Sequence, residues 1–540
     1  MLSGRATVKA QCLPFTQIPH TTRLFADYLY DFPKVSAFYP RPPQYGSWLR
    51  EQSQAIRYEA GQRKQVAEVL ARQNRAWGAS AKTLANLEKF ADGALAAVTG
   101  QQVGLFGGPL FTIFKALSAV RLAEEASAQG VPTVPVFWMA TTDHDLAEVN
   151  HTWVKGSGGV VRVATPTAGA TGAPVGGICF GDEIVPVVEQ MATILGESEA
   201  TEWLRACYRP GETFGSAFAK FYARVFGELG VILLDPDDSG LHALASRLYT
   251  SAIERATELN DALLERGQQL AKSGYHEQVK VAASSTSMFA LQNGARTAIH
   301  RVRDGFDIGG ERVSQDALLQ SMRSIPGDFS PNALLRPVLQ DSLLPTLAYV
   351  GGPAEVAYFA QSAVLYEKLA GRVTPIVPRF SATLVDTKQA GLLERYGLNL
   401  PDLYDGPEAV ARQVAARLLP TELQSTFEAA QRTVEGSLAG VRQTLDRLDS
   451  TLVDAADRAG RKMRYQLARL RQRVANAELR RNEVLTRHVG ALSDGLFPDM
   501  VPQERQLAAV QFLARYGGEL LPKVLENVRP DCVDHQILFH

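Results

Sequence analysis

Apolar and polar positions between residues 94 and 140 form blocks that predict a strand, a loop, a helix and a second strand. Residues 94–99 are a short apolar run, and the glycine-rich residues 100–109, named here the first glycine turn, follow it. Residues 110–128 have apolar side chains at helical spacing. Residues 134–140 are too few, and too rich in Val, Phe and Trp, to favour a helix. This order of elements predicts a βαβ unit with parallel strands.

The same alternation returns later in the chain. The predicted helices are residues 214–229, 241–270, 334–344 and 354–370, the predicted strands are residues 230–235, 346–350 and 374–377, and residues 283–308 are β-rich with a turn at Asn293-Gly294. Residues 351–353, named here the second glycine turn, join a strand to a helix as the first turn does. Parallel strands that alternate with helices predict a doubly wound α/β core, whose ligands bind beyond the carboxyl ends of the strands.

Residues 421–492 have a different pattern, which predicts a coiled coil. Apolar residues recur there in alternating steps of four and three, at Val434, Leu438, Val441, Leu445, Leu448, Leu452 and Ala455. A single helix of this length would extend about 108 Å. The sequence after residue 497 is globular again, with a helix predicted at 505–515 and a strand at 536–539. We therefore expect an antiparallel hairpin that turns near residues 449–451, with Gly460 as the second choice.

These patterns divide the chain into three parts. We expect the α/β core to span residues 1–415, the coiled coil to span residues 416–495, and residues 496–540 to return to the core. The basic residues between 458 and 481 share the coiled-coil helix, so we interpret them as a solvated face.

Composition excludes several classes of protein. The chain has 540 residues, of which 46% are hydrophobic and 21% are charged, as in ordinary globular proteins. Its 56 Lys and Arg residues balance 57 Asp and Glu residues, which argues against a dedicated nucleic-acid or anionic-membrane binder. No apolar run approaches the roughly 20 residues that cross a bilayer. Residues 1–12 lack a signal-peptide core, so we expect a cytoplasmic protein.

The four cysteines, Cys12, Cys179, Cys207 and Cys532, are far apart in the sequence. This spacing argues against a disulfide framework or a structural zinc site. We expect each cysteine to be a buried apolar residue without a catalytic role.

The first glycine turn has the composition of an anion-binding loop. Glycines permit close backbone approach, and a helix that follows supplies N–H groups and a positive dipole end. The candidate residues here are Gln101, Gln102, Gly104, Gly107 and Gly108, with Thr112 and Lys115 one turn into the helix. The structural alternative is a tight strand-to-helix turn.

A second candidate group follows the strand at 134–140. Asp143, His144 and Asp145 offer a general acid or base, a partner for a cation, or metal ligands, and Asn150 lies close behind. We do not predict a metal, because the spacing matches no familiar metal signature. The structural alternative is a helix N-cap made by Thr141 or Asp143.

A third candidate group surrounds the second glycine turn. Arginine binds carboxylates and phosphates in a bidentate manner, whereas a glutamate at a helix start either caps its helix or binds an amine. The candidates are Arg336, Gln340, Gly351, Gly352, Glu355, Tyr358 and Arg379, with Arg505 from the C-terminal segment. Because all three groups lie near strand ends, we expect the first glycine turn and Asp143–Asp145 to face one cleft, with the third group on its far side.

Several long segments together resemble the BshC family, the cysteine-adding enzymes of bacillithiol biosynthesis. The matching segments are residues 99–123, 135–151, 234–238, 336–361 and 375–385, and residues 12–40 and 496–517 are similar too. The resemblance implies a Rossmann-like core with connecting segments, related to adenylate-forming folds, and a coiled coil that forms homodimers.

The resemblance also implies an activity. In the last step of bacillithiol synthesis, the carboxyl group of L-cysteine is joined to the amino group of glucosaminyl-malate. Direct condensation of a carboxylate with an amine is unfavourable in water, so we expect ATP or ADP as a bound nucleotide, with ATP as the activator. The chain contains neither HxGH nor KMSKS, the motifs of adenylate-forming synthetases, so another activated cysteine donor stays open. Two alternatives also stay open: a metal-dependent hydrolase or transferase centred on Asp143–Asp145, and a non-catalytic dimeric coiled-coil scaffold.

Overall fold

The computed structural model describes residues 9–166 and 172–539, with the side chains of all of these except residues 9, 478, 480 and 481. The expectation of a missing signal peptide rests partly on residues 1–8, which lie outside the described residues. The chain forms two compact units, one of Met1–Thr383 with Glu504–Leu538 and one of Leu384–Gln503 with Phe539–His540. Within the described part of the chain, no helix combines the length and the apolar character that crossing a membrane requires.

The strands of the described chain are short, as buried strands in α/β proteins commonly are. They are β1 (Lys9–Leu13), β2 (Leu95–Gln101), β3 (Thr133–Met139), β4 (His151–Gly156), β5 (Gly159–Ala164), β6 (Ile232–Leu234), β7 (Ser285–Gln292), β8 (Ala295–Val302), β9 (Gly305–Ile308), β10 (Glu311–Val313), β11 (Phe329–Pro331), β12 (Thr346–Gly351), β13 (Ile376–Pro378), β14 (Ala382–Val385) and β15 (His535–Phe539).

Helices alternate with these strands and also build the second unit. They are α1 (Arg23–Tyr30), α2 (Leu49–Gln54), α3 (Ala60–Ala76), α4 (Ala81–Ala91), α5 (Phe111–Ala128), α6 (Leu146–Val149), α7 (Ile184–Leu195), α8 (Glu199–Cys207), α9 (Phe214–Val225), α10 (Ser239–Glu254), α11 (Ala256–Lys272), α12 (Gln315–Ser324), α13 (Arg336–Leu343), α14 (Pro353–Leu369), α15 (Thr387–Tyr396), α16 (Pro407–Arg417), α17 (Thr421–Leu448), α18 (Val453–Arg481), α19 (Glu483–Leu496), α20 (Gln503–Gln506), α21 (Ala509–Tyr516) and α22 (Leu520–Asn527).

The core of the first unit is a parallel sheet in the order β13-β12-β2-β3-β6, which confirms the predicted doubly wound fold. From β2 the chain moves outward through β3 to β6, and it then returns to the other side of β2 with β12 and β13. This is the strand order of a Rossmann fold. Strands that follow β2 in the sequence are added first on one side of it and then, from β12 onward, on its other side. The junction between β2 and β12 is therefore the topological switch point, and the two glycine turns, which follow these two strands, lie side by side there.

Burial explains why these segments are strands. All seven residues of β3 are buried, as are the five central residues of β2, because helices cover both faces of a parallel sheet. Helix α5 is likewise buried almost throughout, and residues of the N-terminal segment such as Trp48 pack with its Ala119 and Leu122.

A second, antiparallel sheet in the order β10-β9-β8-β7-β11 confirms the β-rich prediction for residues 283–308. Asn293 and Gly294 join β7 to β8 with φ angles of 53° and 77°, as a two-residue hairpin turn requires.

Two segments that the sequence predicts as single helices are each divided into two, so these predictions were wrong. The helix expected at 241–270 is divided at Arg255, where φ −105° and ψ 17° leave helical geometry without a Gly or Pro to announce the break. The helix expected at 505–515 is divided at Leu507 and Ala508. Ala508 instead donates its N–H to the carbonyl oxygen of Trp153 over 2.8 Å, and it bridges Pro109, so these two residues pair as extended chain.

The second unit contains the predicted hairpin. Helices α17 and α18 are joined at Asp449, whose carboxylate accepts hydrogen bonds from the N–H and the hydroxyl of Thr451. This confirms the turn at 449–451, and Gly460 lies inside α18, where the Cβ of any larger residue would approach Leu438 to 3.1 Å. The expected domain boundary at residue 415 falls near the end of α16.

Candidate active site

The two glycine turns follow adjacent parallel strands of the first unit. Residues of β2 pair directly with residues of β12, and each strand is continued by a turn and a helix, α5 or α14. Because a doubly wound sheet opens at its switch point, side chains from the two turns are placed to meet there.

The backbone amides of the first glycine turn are hydrogen-bonded within the turn itself. The N–H groups of Gly104, Gly107 and Gly108 donate to the carbonyl oxygens of Gln102, Gly104 and Leu105 over 2.9–3.1 Å. Gly107 has φ +88°, and a Cβ there would lie 2.8 Å from the ring of Phe221. These glycines therefore serve a tight, buried turn. The expectation that their amides form an open anion cradle was wrong for the conformation described, because protein acceptors already occupy them.

The start of helix α5 is covered by the C-terminal segment. The N–H of Leu110 donates to the carbonyl oxygen of Leu507 over 2.9 Å, and the N–H of Ala509 donates to that of Gly108 over 2.9 Å. Residues 507–509, named here the covering segment, thus occupy the place where the sequence predicts an anion. Thr112, one turn into α5, is fully buried, and its hydroxyl oxygen lies close to Gly108.

A buried ion pair joins the two turns. Lys115 of α5 is only 3% exposed, and its Nζ lies 2.5 Å from Oε2 of Glu355, 2.7 Å from the carbonyl oxygen of Gly100 and 3.0 Å from Oε1 of Gln101. Glu355 also accepts from the N–H of Gly352 over 2.7 Å and from the hydroxyl of Tyr349 over 2.5 Å. Glu355 therefore caps α14 and neutralises Lys115, so it is not free to bind a substrate amine.

Burial sets the electrostatics of this pair. Burial lowers the pKa of the Lys115 ammonium, and the neighbouring Glu355 offsets part of that effect. Burial opposes the charge on Glu355, but Lys115 and the N–H of Gly352 outweigh it and hold the pKa of the carboxyl group below its usual value.

Arg336 carries a charge without a carboxylate partner. Its guanidinium donates to the hydroxyl of Tyr358 over 2.8 Å and to Oε1 of Gln340 over 3.4 Å, and among the described residues no carboxylate oxygen lies within 4 Å of it. Burial opposes its charge, but Tyr358, Tyr349 and Glu355 outweigh burial and raise its pKa. The same burial raises the pKa of Tyr358 to about 12. Arg336 is thus a fixed cation available to an anion.

Arg379 and Arg505 differ in their availability. Arg379 is buried, and its guanidinium donates to both carboxylate oxygens of Glu504 over 2.9 and 2.6 Å. The expectation that Arg379 clamps a ligand was therefore wrong for this structure, because Glu504 already holds it. Arg505 is exposed beside this pair, and the described residues offer its guanidinium no hydrogen-bond acceptor.

The Asp143–Asp145 group adjoins the first glycine turn directly. The side-chain amide of Gln102 donates to Oδ2 of Asp143 and to Oε2 of Glu148, both over 2.8 Å. Asp145 caps α6 by accepting from the N–H of Glu148, so the N-cap is Asp145 rather than Thr141 or Asp143. Asn150, at the end of α6, has its Oδ1 at 3.2 Å from Nδ1 of His151.

Arg296 lies beside both His144 and Asp143. This arginine, from β8 of the antiparallel sheet, places Nη1 3.3 Å from Nδ1 of His144 and 3.9 Å from Oδ1 of Asp143, and that carboxylate oxygen lies 3.7 Å from the same Nδ1. A guanidinium has only donors, so a hydrogen bond from Arg296 requires the tautomer of His144 in which Nδ1 accepts and Nε2 carries the proton. In that tautomer His144 presents a donor to its surroundings.

The first glycine turn thus contacts both other groups, through Gln102 to Asp143 and through Lys115 to Glu355. These two contacts bring one residue of each of the other groups next to the first glycine turn or its helix. Arg296 was missed because it comes from a separate sheet, and no local pattern connects it with His144.

Asp235 was also missed as a site residue, although it ends strand β6 as Thr141 follows strand β3. Its Oδ1 accepts from the hydroxyl of Thr141 over 2.5 Å and from the N–H of Asp237 over 3.0 Å. Burial raises its pKa to about 6, although these two hydrogen bonds favour the charged form. An acidic residue at the carboxyl end of a predicted parallel strand was the available signal.

Comparison with known proteins identifies the family. A model described as "Bacillithiol biosynthesis BshC, N-terminal Rossmann-like domain" matches residues 8–380, and its "C-terminal coiled-coil domain" matches residues 382–540. The chain belongs to the BshC family. The Rossmann-like part corresponds to the first unit and the coiled-coil part to the second, except that residues 504–538 belong to the coiled-coil model but pack in the first unit.

Similar proteins cover nearly the whole chain. A protein of Koribacter versatilis named "Putative cysteine ligase BshC" is 47% identical over 98% of this chain and 99% of its own length. Proteins of the same name from Solibacter usitatus and Salinibacter ruber are 37% and 33% identical over 98% and 95% of this chain and 99% and 96% of their own lengths. A solved structure described as a "putative arginyl t-RNA synthetase" of Campylobacter jejuni covers 85% of this chain and 98% of its own, but it is 10% identical with a TM-score of 0.22, too low to bear on the fold.

Across residues 9–166 and 172–539, no three His, Cys, Asp or Glu side chains are grouped so that they could hold a metal ion. Asp143, His144 and Asp145 accordingly do not form such a group in the structure.

Proposed function

We propose that this BshC family member is a ligase that joins the carboxyl group of L-cysteine to the amino group of glucosaminyl-malate, the last step of bacillithiol synthesis. The observation that carries the proposal is Arg336, a fixed cation at the switch point without a carboxylate partner among the described residues. The names of the relatives, which call them cysteine ligases, support the same reaction class.

Both substrates and a nucleotide carry anionic groups, carboxylates or phosphates, that such a site suits. Malate contributes two carboxylates to one substrate, and Arg336 and Arg505 supply cationic donors for carboxylate or phosphate. A nucleoside triphosphate would supply activation of the cysteine carboxyl group, and these two arginines are the residues that would hold its phosphates. The amides at the start of α5 are not part of this proposal, because the covering segment occupies them.

The proton of the attacking amine requires a base, and we assign this role to Asp145. The amine must be neutral to attack, whereas His144 has its acceptor nitrogen directed at Arg296. His144 instead donates from Nε2 to an oxygen that gains negative charge as the amide bond forms. Asp145 is exposed beside it, and a positioned base contributes about 10²–10⁴-fold to the rate.

Reconstitution tests the activity. Purified protein is incubated with cysteine and glucosaminyl-malate, with and without ATP, and mass spectrometry follows the thiol product together with AMP and ADP. We expect product only with ATP, and Arg336→Gln should reduce kcat/KM by about 10- to 100-fold, the value of a charged hydrogen bond. Arg323→Gln, which removes an exposed arginine of α12, is the matched control. If folded protein gives no product under any condition, the ligase proposal is refuted. If it gives as much product without ATP as with it, the proposed activation by ATP is refuted.

Three variants separate the donor role of His144 from a role as base. A glutamine side chain places an N–H near the position of Nε2, so His144→Gln should retain more activity than His144→Ala. Asp145→Asn should lose about 10²–10⁴-fold. If His144→Gln is as inactive as His144→Ala while Asp145→Asn is active, His144 is the base and the assignment is reversed.

The second unit supports a homodimer formed by the coiled coil, which we also propose. The heptad residues divide into two sets. Val434, Leu438 and Leu445 are half-buried in the hairpin, whereas Val441 is 50%, Leu448 77% and Leu470 51% exposed. An exposed apolar stripe of this length is best covered by a second copy of the hairpin.

The two sets of heptad residues give a direct test by sedimentation. Val441→Asp with Leu470→Asp should produce monomers with unchanged helical content, because these positions face outward. Leu445→Asp should reduce the helical content itself, since it faces the partner helix of the same chain. A dimer that survives the double change would place the interface elsewhere.

A further inference from the structure

Two cysteines from opposite ends of the chain lie side by side in the first unit. The sulfur atoms of Cys12, on β1, and Cys532, shortly before β15, are 3.8 Å apart although the residues are 520 positions apart in the sequence. Cys12 is exposed and Cys532 is partly exposed. The expectation that every cysteine is a buried apolar residue was therefore wrong for these two, and also for Cys179, which is exposed.

Neighbouring contacts hold together the two segments that carry the thiols. The hydroxyl of Tyr30 accepts from the N–H of Phe15 over 2.8 Å and donates to the carboxylate of Asp534 over 2.7 Å, which connects the chain after β1 with the chain before β15. Strands β1 and β15 are also neighbours in one sheet. The side-chain amide of Gln536 donates to the sulfur of Cys532 over 3.5 Å.

Charges near the two sulfurs distinguish them. The side chain of Arg529 lies near Cys532, which places a positive charge close to this sulfur. Burial, and then the neighbouring Cys532, raise the pKa of the Cys12 thiol. The thiolate is the form of a cysteine that attacks disulfides.

We propose that Cys12 and Cys532 are a redox modification site, where a low-molecular-weight disulfide oxidises the two thiols to an intramolecular disulfide bond. The thiolate of Cys532 attacks one sulfur of the small disulfide, whose other sulfur leaves as a thiol. The thiolate of Cys12 then attacks the sulfur of Cys532 and releases the second small thiol. The protein loses two electrons and two protons, and the small disulfide gains them as two thiols.

The geometry suits this exchange. The sulfurs must approach from 3.8 Å to about 2.0 Å, which rotation of two surface side chains supplies. The other two cysteines are placed differently. Cys179 has its thiol 3.9 Å from the carbonyl oxygen of Gly177, and Cys207 is buried next to Arg224. Neither faces another thiol.

The bond would tie the N-terminal strand to the segment that completes the active site. Residues 504–538 carry Glu504, which holds Arg379, and the covering segment at the first glycine turn. The cross-link would close a loop of nearly the whole chain, and such loops restrict the unfolded state most strongly. Oxidised protein should therefore have a higher unfolding temperature than reduced protein.

Free-thiol counting after exposure to cystine tests the proposal on the full chain. Reduced protein, freed of reductant, is incubated with cystine and then denatured for thiol titration and peptide mapping. We expect the thiol count to fall by at least two, with any further loss a cysteinyl adduct at the exposed Cys179, a cross-linked peptide that contains Cys12 and Cys532, and a rise in unfolding temperature that a dithiol reverses. Cys179→Ser is the matched control, because it removes an exposed cysteine and should keep the cross-link.

Cys12→Ser and Cys532→Ser should each abolish the cross-link and the temperature shift, and the remaining cysteine should carry at most a cysteinyl adduct. The proposal fails if wild-type protein keeps four thiols in excess cystine. It also fails if Cys12 and Cys532 acquire separate adducts without a cross-linked peptide. Because ligase turnover is not the readout, failure of the proposed function would leave this test unaffected.

Discussion

The two glycine turns occupy equivalent places at one switch point but are built differently. The first turn needs left-handed backbone at Gly107 and Gly108, uses its amides internally and lies under the covering segment. The second turn has Gly352 at φ −83°, and its amide is held by Glu355 of the helix that follows. The first turn is covered by a segment that is distant in sequence, whereas the amide of the second turn is bonded by a residue of the helix that directly follows it.

This difference shows that a glycine-rich strand-to-helix turn is not by itself an anion site. In both turns, glycine amides that the sequence singles out already have protein acceptors. Arg336, in contrast, has no carboxylate partner among the described residues. The ion pair between Lys115 and Glu355 links the two turns, because Lys115 lies on the helix after the first turn and Glu355 lies on the helix after the second.

The largest expected effect comes from loosening the cover of the first turn. Glu504→Gln leaves the buried charge of Arg379 unpaired, which should lower the free energy of unfolding by about 3–5 kcal/mol. Hydrogen exchange should increase at the amides of Leu110 and Ala509 but not at Gly352. Glu519→Gln, at a carboxylate that is 80% exposed, is the control. Equal loss of protection at both turns would contradict the distinction between them.

Breaking the pair that joins the turns should come next. Lys115→Met leaves Glu355 buried without its cation, at a cost of about 3 kcal/mol near neutral pH. In the native protein the pKa of Glu355 is lowered, so its contribution is present above the unfolded-state pKa and is lost as pH falls. The deficit of Lys115→Met, measured by urea unfolding, should therefore shrink towards pH 4. Adding Glu355→Gln should restore part of the stability, and a deficit independent of pH would argue against an ion pair.

Alanine at one glycine of each turn gives the sharpest comparison. At Gly107, left-handed backbone and contact with Phe221 should together cost about 2–4 kcal/mol. At Gly352 the backbone is ordinary and the nearest atoms lie 3.4 Å or more from a Cβ, so the cost should stay below about 1 kcal/mol. Thermal unfolding of the two variants measures both values. Equal costs would mean that the turns are not built differently.

A change at Asp235, which follows a third strand, should affect stability with the opposite sign. Its pKa is raised to about 6, so the native state is favoured below the unfolded value and loses this advantage as pH rises through 6. Asparagine at this position keeps an oxygen that can accept the hydrogen bond from the hydroxyl of Thr141, but it carries no negative charge. Asp235→Asn should therefore be more stable than wild type by about 1–3 kcal/mol at pH 7, with no gain below pH 4. A destabilised variant at pH 7 would show that the carboxylate is needed in its charged form.

Local patterns predicted the fold well because they are set by near neighbours. The buried runs of β2 and β3, the hairpin turn at Asn293-Gly294 and the Asp449 turn each depend on residues close in sequence. The covering segment, the Arg379–Glu504 pair and the approach of Arg296 to His144 depend on contacts across 125 to about 400 residues. Glycines occur both in turns that bind an anion and in turns that are only structural, so composition alone did not distinguish the two.

The covering segment has a consequence for the order in which the protein is made. The first glycine turn leaves the ribosome early, whereas residues 507–509 are synthesised almost 400 residues later. At 5–20 residues per second, the N–H of Leu110 and the carbonyl oxygen of Gly108 wait roughly 20–80 s for their partners. Until then, water must satisfy these groups. A nascent chain can therefore form its Rossmann-like strands during translation, but its first glycine turn is covered only when almost the whole chain has been synthesised.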